Sequence, residues 1–336
     1  MVESVFVDSS VAPRLEPPIG VLTSLLTGFD RVAARPALLL PPLALDLFLW
    51  LGPRLRIGPL TAAVAAALSV PPGADPGLVE QVSLFRQTLG EMGARVNLFA
   101  SLSSLPVGVP SLMASRLPIL TPLGAAPAAD LAEPVVAGLL WLLITLLGLG
   151  LGSVYHLWIS RQVPGPSGAA SLVRTWARAV TLSVAAYLLA FVASLVTLLL
   201  VAFVAASVPW LAMVLIFLGF SALFWTAVYL MFSPHGIVRY GLGVWQAVRE
   251  SAQLVRWNLL ATSVFLMLGL LLSWATNWVW RLPTEDSWFA GLAVLGHAFV
   301  SAMLLAASYA FYQGRRDWTR RALEFVASRR APPAGA

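Results

Sequence analysis

Apolar residues dominate six stretches of this chain, about 36–52, 134–159, 179–206, 210–232, 258–280 and 289–312. Most reach the roughly 20 residues that a membrane-crossing helix needs. The pattern predicts six transmembrane helices. The first stretch is the shortest, carries Asp46, and is interrupted by Pro41-Pro42, which predicts a kink there.

The segments before the first, third and fifth stretches alternate with a helical period. Leu22, Leu25, Leu26, Phe29, Val32 and Ala33 share one face, against Thr23, Ser24, Thr27, Asp30, Arg31 and Arg35 on the other. Leu172, Val173 and Trp176 oppose Ser171, Arg174 and Arg178. Val244, Val248, Ala252 and Val255 oppose Gln246, Arg249, Glu250 and Gln253. Each reads as an amphipathic helix at the bilayer surface, its arginines at headgroup level. Together they suggest a threefold repeat of interfacial helix, span, turn and returning span. Arginines at the start of any inner-leaflet helix would produce the same pattern, so both readings stand.

Segment 53–133 breaks the rhythm. Pro106, Pro110, Pro118, Pro122 and Pro127 resist regular structure. Asp75-Pro76 is a helix start, followed by an apolar stripe of Leu78, Val82, Phe85, Leu89, Met92 and Val96. Pro59 to Val70 is apolar but too short to span, which suggests an interfacial or re-entrant helix. The segment is expected to form a small helical and irregular cap, with the stripe buried against it or the bundle; a partner-binding groove is the sharper alternative.

Composition agrees with a bilayer. Hydrophobic residues make up 59%, charged residues 11%, and mean hydropathy is +0.84, whereas soluble domains are nearer 25% charged. All 21 basic residues are arginine, so lysine Schiff-base chemistry is excluded. The absence of cysteine excludes thiolate nucleophiles, disulfides and cysteine-ligated metals. Segments 1–35, 160–178, 233–257 and 313–336 hold 15 arginines, and the intervening segments hold 6. The positive-inside rule then places both ends in the cytoplasm. Residues 1–18 read as a disordered tail without a signal peptide, 19–312 as the membrane domain with 53–133 inserted, and 313–336 as a basic tail. Arg31, Arg35, Arg174, Arg178, Arg249, Arg256, Arg315, Arg316, Arg320 and Arg321 are assigned to anionic lipid headgroups and topology, rather than to nucleic acid.

Candidate chemistry is sparse. Asp46 is the sole acid within a predicted span, where a carboxylate must face the interior, pair with a donor or take a proton. Arg54 and Arg56 lie two to three turns on, within reach of a snorkelling pair. Counted at 1.5 Å per residue, His156 lies about 33 Å and His297 about 12 Å below the external end, and His235 falls in a cytoplasmic loop. That separation excludes a shared metal or a bis-histidine haem. His297 is read as an interior histidine, which with Asp46 makes the candidate intramembrane polar site. Gly148 and Gly152 form a GxxxG, a device for close packing within the chain or between copies. No cofactor and no metal site is expected.

The stretch "SPHGIVRYGLGVWQAVRESAQLVRWNLLATSVFLMLGLLL", with "DRVAARPALLLPPLALDLFLW" and "VGVPSLMASRLPILTP", resembles a broad class of bacterial six-helix membrane proteins related in pattern to the membrane domain of glycerophosphodiester phosphodiesterases. The matching features are Pro234, the interfacial helix through Ser251, and Arg256 before the next span. The resemblance implies a helical membrane module; the catalytic domain of those enzymes, with its metal ligands, has no counterpart here. The expectation is thus an all-α, six-helix bundle in a bacterial inner membrane, contacting lipid and a membrane-protein partner or a second copy. It is expected to be a non-enzymatic module or accessory subunit, or alternatively a transporter or channel component using Asp46.

Overall fold

The computed structural model describes residues 17–330 apart from 167, 169, 170 and 206; most of the expected disordered tail, 1–18, and the last six residues of the basic tail lie outside these. The chain is all-α, with two short β ladders. Its helices are α1 (Val21–Ala33), α2 (Leu40–Leu51), α3 (Gly58–Ala67), α4 (Pro76–Arg95), α5 (Met113–Arg116), α6 (Pro134–Gln162), α7 (Leu172–Ala205), α8 (Pro209–Leu230), α9 (Ser233–Tyr240), α10 (Val244–Trp257), α11 (Leu259–Trp280) and α12 (Ala290–Arg330). Among the described residues, five helical stretches are long and apolar enough to cross a membrane. They become six if α1 and the segment 36–51 count as one broken span. This is a multi-pass membrane protein.

The first span departs from expectation in where it bends. The bend of 97° lies between α1 and Pro36–Leu51, not at Pro41-Pro42. Those prolines sit in the first turn of α2, where a missing N–H leaves no bond unmade. Arg35 precedes Pro36 with its backbone outside the helical region, from which a residue before proline is pushed.

The core is built on α12. Ala298, Ala302, Ala306 and Ala310 recur every fourth residue and are all buried, giving a ridge low enough for another backbone to approach. On α1 the buried face is Ser24, Gly28 and Val32. A Cβ at Gly28 would collide with the Met303 carbonyl and lie 2.7 Å from the Ala307 nitrogen. α1 keeps the separate, amphipathic form expected of it but packs through its small, partly polar side. Its small face docks on α12, and Leu22, Leu26 and Phe29 of its apolar face remain exposed.

The threefold repeat is also corrected. Leu172–Ala205 is one continuous helix, without a separate interfacial segment, because nothing between Arg178 and the apolar run breaks the hydrogen-bond ladder. Like α1, α10 is a distinct amphipathic helix, and it buries Ala247, Ser251, Leu254 and Val255. The last span runs on past the apolar stretch, and α12 continues through Arg330 as expected.

Residues 53–133 form a mixed cap. β1 (Arg54–Arg56) pairs in parallel with β4 (Ala128–Asp130), and β2 (Leu120–Thr121) with β3 (Gly124–Ala125) as a hairpin. Asp75 caps α4 as the sequence predicts, accepting from the Gly77 N–H. The stripe on α4 is not buried, however. Leu78, Phe85 and Met92 are exposed, and the one buried residue of α4 is Gly93, which meets Thr61 of α3.

The GxxxG pair packs closely within the chain, one of the two arrangements its spacing allows. A Cβ at Gly148 would lie 2.6 Å from the Leu102 carbonyl, and one at Gly152 would overlap the Val107 carbonyl. The glycines thus receive cap backbone, a short 3-10 helix at 98–103 and the loop after it, rather than another span.

Candidate functional site

Asp46 sits on the inward face of α2, one turn beyond Pro42 and in line with Leu49 and Trp50, all buried. Its carboxylate is fully enclosed. Oδ1 accepts from the Ser111 hydroxyl at 2.5 Å and from the Met113 N–H at 2.9 Å. Ser111 Oγ in turn accepts from the Ala114 N–H at 3.0 Å. A carboxylate and a hydroxyl therefore cap the start of α5, where N–H groups lack helical partners. The nearby Trp50 indole donates to the Glu285 carbonyl at 2.8 Å, fixing the end of α2 to the loop between α11 and α12.

The other carboxylate oxygen faces His297 on α12, with Oδ2 and Nδ1 separated by 3.8 Å. Neither atom has a hydrogen-bond partner among the described residues. His297 Nε2 lies 3.3 Å from the Ser301 hydroxyl. The fold thus brings the two candidate polar residues together. The expected pairing of Asp46 with Arg54 or Arg56 does not occur. Arg54 Nη1 donates to the Ile119 carbonyl at 2.7 Å, and Arg56 binds Asp130 in a two-pronged pair at 2.9 Å. Both arginines are held by the β1–β4 side of the cap, beyond reach of α2. Burial draws the Arg54 guanidinium below its usual pKa, an effect the Glu285 carboxylate opposes.

A second polar group, further along α12, was not legible in the sequence. His235 is not in a loop: it is buried in α9, with Nε2 2.7 Å from the Ser308 hydroxyl and its ring 4.4 Å from that of Tyr309. The Tyr309 hydroxyl is hydrogen-bonded to His156 Nδ1 at 3.2 Å. The depths of His156 and Tyr309, counted along α6 and α12 at 1.5 Å per residue, are about 33 and 29 Å, and this match is the signal that could have paired them. Among the described residues, no three His, Asp or Glu side chains are placed to share a metal ion.

Two arginines in this region do more than face headgroups. Arg239, fully buried on α9, donates to the Ser160 carbonyl and to those of Val163, Pro164 and Gly165 at 3.1, 3.3 and 3.2 Å. It closes the end of α6, where carbonyls lack helical partners. Arg316, expected at headgroup level, is buried instead. It pairs with Glu250 of α10 at 2.5 Å and lies over the Tyr240 ring at 3.8 Å. Glu250 also accepts from the Tyr312 hydroxyl at 2.5 Å. No protein-family model, no curated protein and no solved structure matches the chain.

Of the remaining headgroup candidates, Arg35, Arg174, Arg249, Arg256, Arg320 and Arg321 are exposed, and Arg31 and Arg315 are half-buried. Arg249 stacks on Trp245 with 4.6 Å to the ring centre. Arg178 donates to the Gly241 carbonyl at 2.5 Å, tying α7 to the turn after α9. A cavity of about 420 Å³ lies beside α2, lined by Pro41, Ala44, Phe48, Val109, Val154 and Trp158 among others, all apolar-surfaced. Asp46 does not line it.

Proposed function

We propose that this chain is a non-enzymatic membrane module of the bacterial inner membrane, both ends cytoplasmic, that organises other membrane components. The observation that carries the reading is the use made of Asp46. The acid among the membrane-crossing segments joins α2 to Ser111 and Met113 of the cap, holding architecture together rather than opening to a cavity. Large apolar surface is left for neighbours. None of the most apolar window of α7 is buried within the chain, and Phe191, Leu195, Leu199 and Phe203 are exposed. The resemblance to phosphodiesterase membrane domains belongs to this proposal and rests on the pattern over 233–273, which corresponds to α9, α10 and most of α11. Purification in mild detergent tests it. The wild type should carry a stoichiometric membrane partner that Leu195→Asn with Leu199→Asn loses. A wild-type chain that purifies alone and turns over a substrate overturns it.

A transporter or channel component is the second reading. Asp46 Oδ2 and His297 Nδ1 face one another without partners, and the broken helix α1–α2 is the kind of element that lines ion sites. Here Asp46→Asn should abolish solute uptake into proteoliposomes while the protein remains in the membrane. Unchanged uptake would sink this alternative.

A further inference from the structure

Three clefts follow one another along α11 and the loop after it, each sharing a lining residue with the next. The first, about 550 Å³, is an apolar groove between α8 and α11, with Phe224 and Val228 on one wall and Leu266 and Leu270 on the other; it ends at Trp274. The second, about 450 Å³, begins at Trp274, passes Asn277 and Trp278, and ends at Arg281. The third, about 500 Å³, begins at Arg281 and reaches Arg95 and Arg116 beneath the cap. In order, they set an apolar groove, an aromatic girdle and a charged chamber along one track of the surface.

The charges in the chamber are not all spent on one another. Arg116 donates to the Trp280 and Pro283 carbonyls and lies 3.9 Å from Glu285, which also accepts from the Ile119 N–H. Arg95 and Arg281 are exposed and make no ion pair among the described residues. Asp286 is the second acid lining the chamber. Two unspent guanidinium groups beside one carboxylate match a phosphate diester, and Asp286 matches an ammonium attached to it. Tryptophans between an apolar groove and a charged chamber sit where a bilayer has its interface.

The dimensions select the rest of the ligand. From Trp274 down to Ser263, the length of the apolar groove, is eleven residues, about 16 Å at 1.5 Å per residue, or half of a hydrocarbon core of about 30 Å. We propose that this track binds one glycerophospholipid from the leaflet on the cap side, its phosphate between Arg281 and Arg95 and an acyl chain along Trp274 and Leu270. The site goes beyond the module reading, since it assigns a specific ligand to a face without a role there.

Native mass spectrometry of the full chain tests the assignment, after delipidation and addition of phosphatidylethanolamine or phosphatidylglycerol. The wild type should retain one phospholipid. Arg95→Gln with Arg281→Gln, and separately the groove-filling Leu270→Trp, should each lower retention by roughly tenfold. All three side chains are exposed, and unchanged thermal unfolding would show that the variants are folded. Wild-type retention by both variants overturns the proposal. So does displacement of the lipid by a large excess of inorganic phosphate, which would mark a phosphate site without a tail. The chain lacks cysteine, so Met267→Cys gives a single label; its disulfide cross-linking to a second copy in bilayers would show the groove covered by protein, and would also overturn it.

Discussion

The Met113 N–H donates to Asp46 Oδ1 at 2.9 Å, and this bond joins the apolar helix α2 to a part of the cap more than sixty residues further along the chain. A buried donor stripped of its acceptor costs about 1–3 kcal/mol. Asp46→Ala strands both the Met113 N–H and the Ser111 hydroxyl, and should destabilise the protein by about 2–3 kcal/mol in detergent unfolding. Asp46→Asn keeps an acceptor oxygen and should cost about 1 kcal/mol. Equal losses for the two variants would mean that the cap does not depend on this contact.

Gly148 and Gly152 give a steric prediction. Alanine at Gly152 would overlap the Val107 carbonyl, and at Gly148 would press on the Leu102 backbone. Each substitution should cost about 1–3 kcal/mol and expose residues 98–110 to limited proteolysis. Gly138 on the same helix has open space around it, and alanine there should stabilise by up to about 1 kcal/mol.

Arg239 carries the end of α6. Its guanidinium serves four carbonyls at once, which a lysine ammonium, a point charge with three donors, does not reproduce. Arg239→Lys is expected to cost about 1.5–3 kcal/mol, and Arg239→Met more. Hydrogen exchange should show the loss first at 160–165.

Glu250 and Arg316 fasten α10 to α12, with only 22% and 10% of their side chains exposed. A double-mutant cycle with Glu250→Gln and Arg316→Gln should return a coupling energy of about 1–3 kcal/mol. A value near zero would place the pair with ordinary surface ion pairs.

The span residues were legible because a bilayer imposes one rule on every crossing helix, apolar length, and that rule needs no knowledge of neighbours. The boundaries of α6 and α11 follow it closely, and so does the start of α4 at Asp75-Pro76. Asp46 and His297 were legible as candidates one by one, since polar side chains stand out in apolar runs. Their facing each other was not, because it depends on the register of α2 against α12. The same holds for His235, which loop-like surroundings in the sequence placed away from Tyr309.

Sequence by itself determined that this chain is helical and multi-pass, which residue types it has for chemistry, and where its charges lie along the chain. Tertiary structure decided what those charges do. Arg239 and Arg316 are buried among carbonyls, a carboxylate and rings, although they share the residue type and local setting of exposed Arg249 and Arg256. The physical reason is that helix formation is set by neighbours within a few residues, whereas pairing is set by which small faces let two backbones approach. Gly28 on α1, set against Met303 and Ala307 of α12, makes that choice here, and no local pattern announces it.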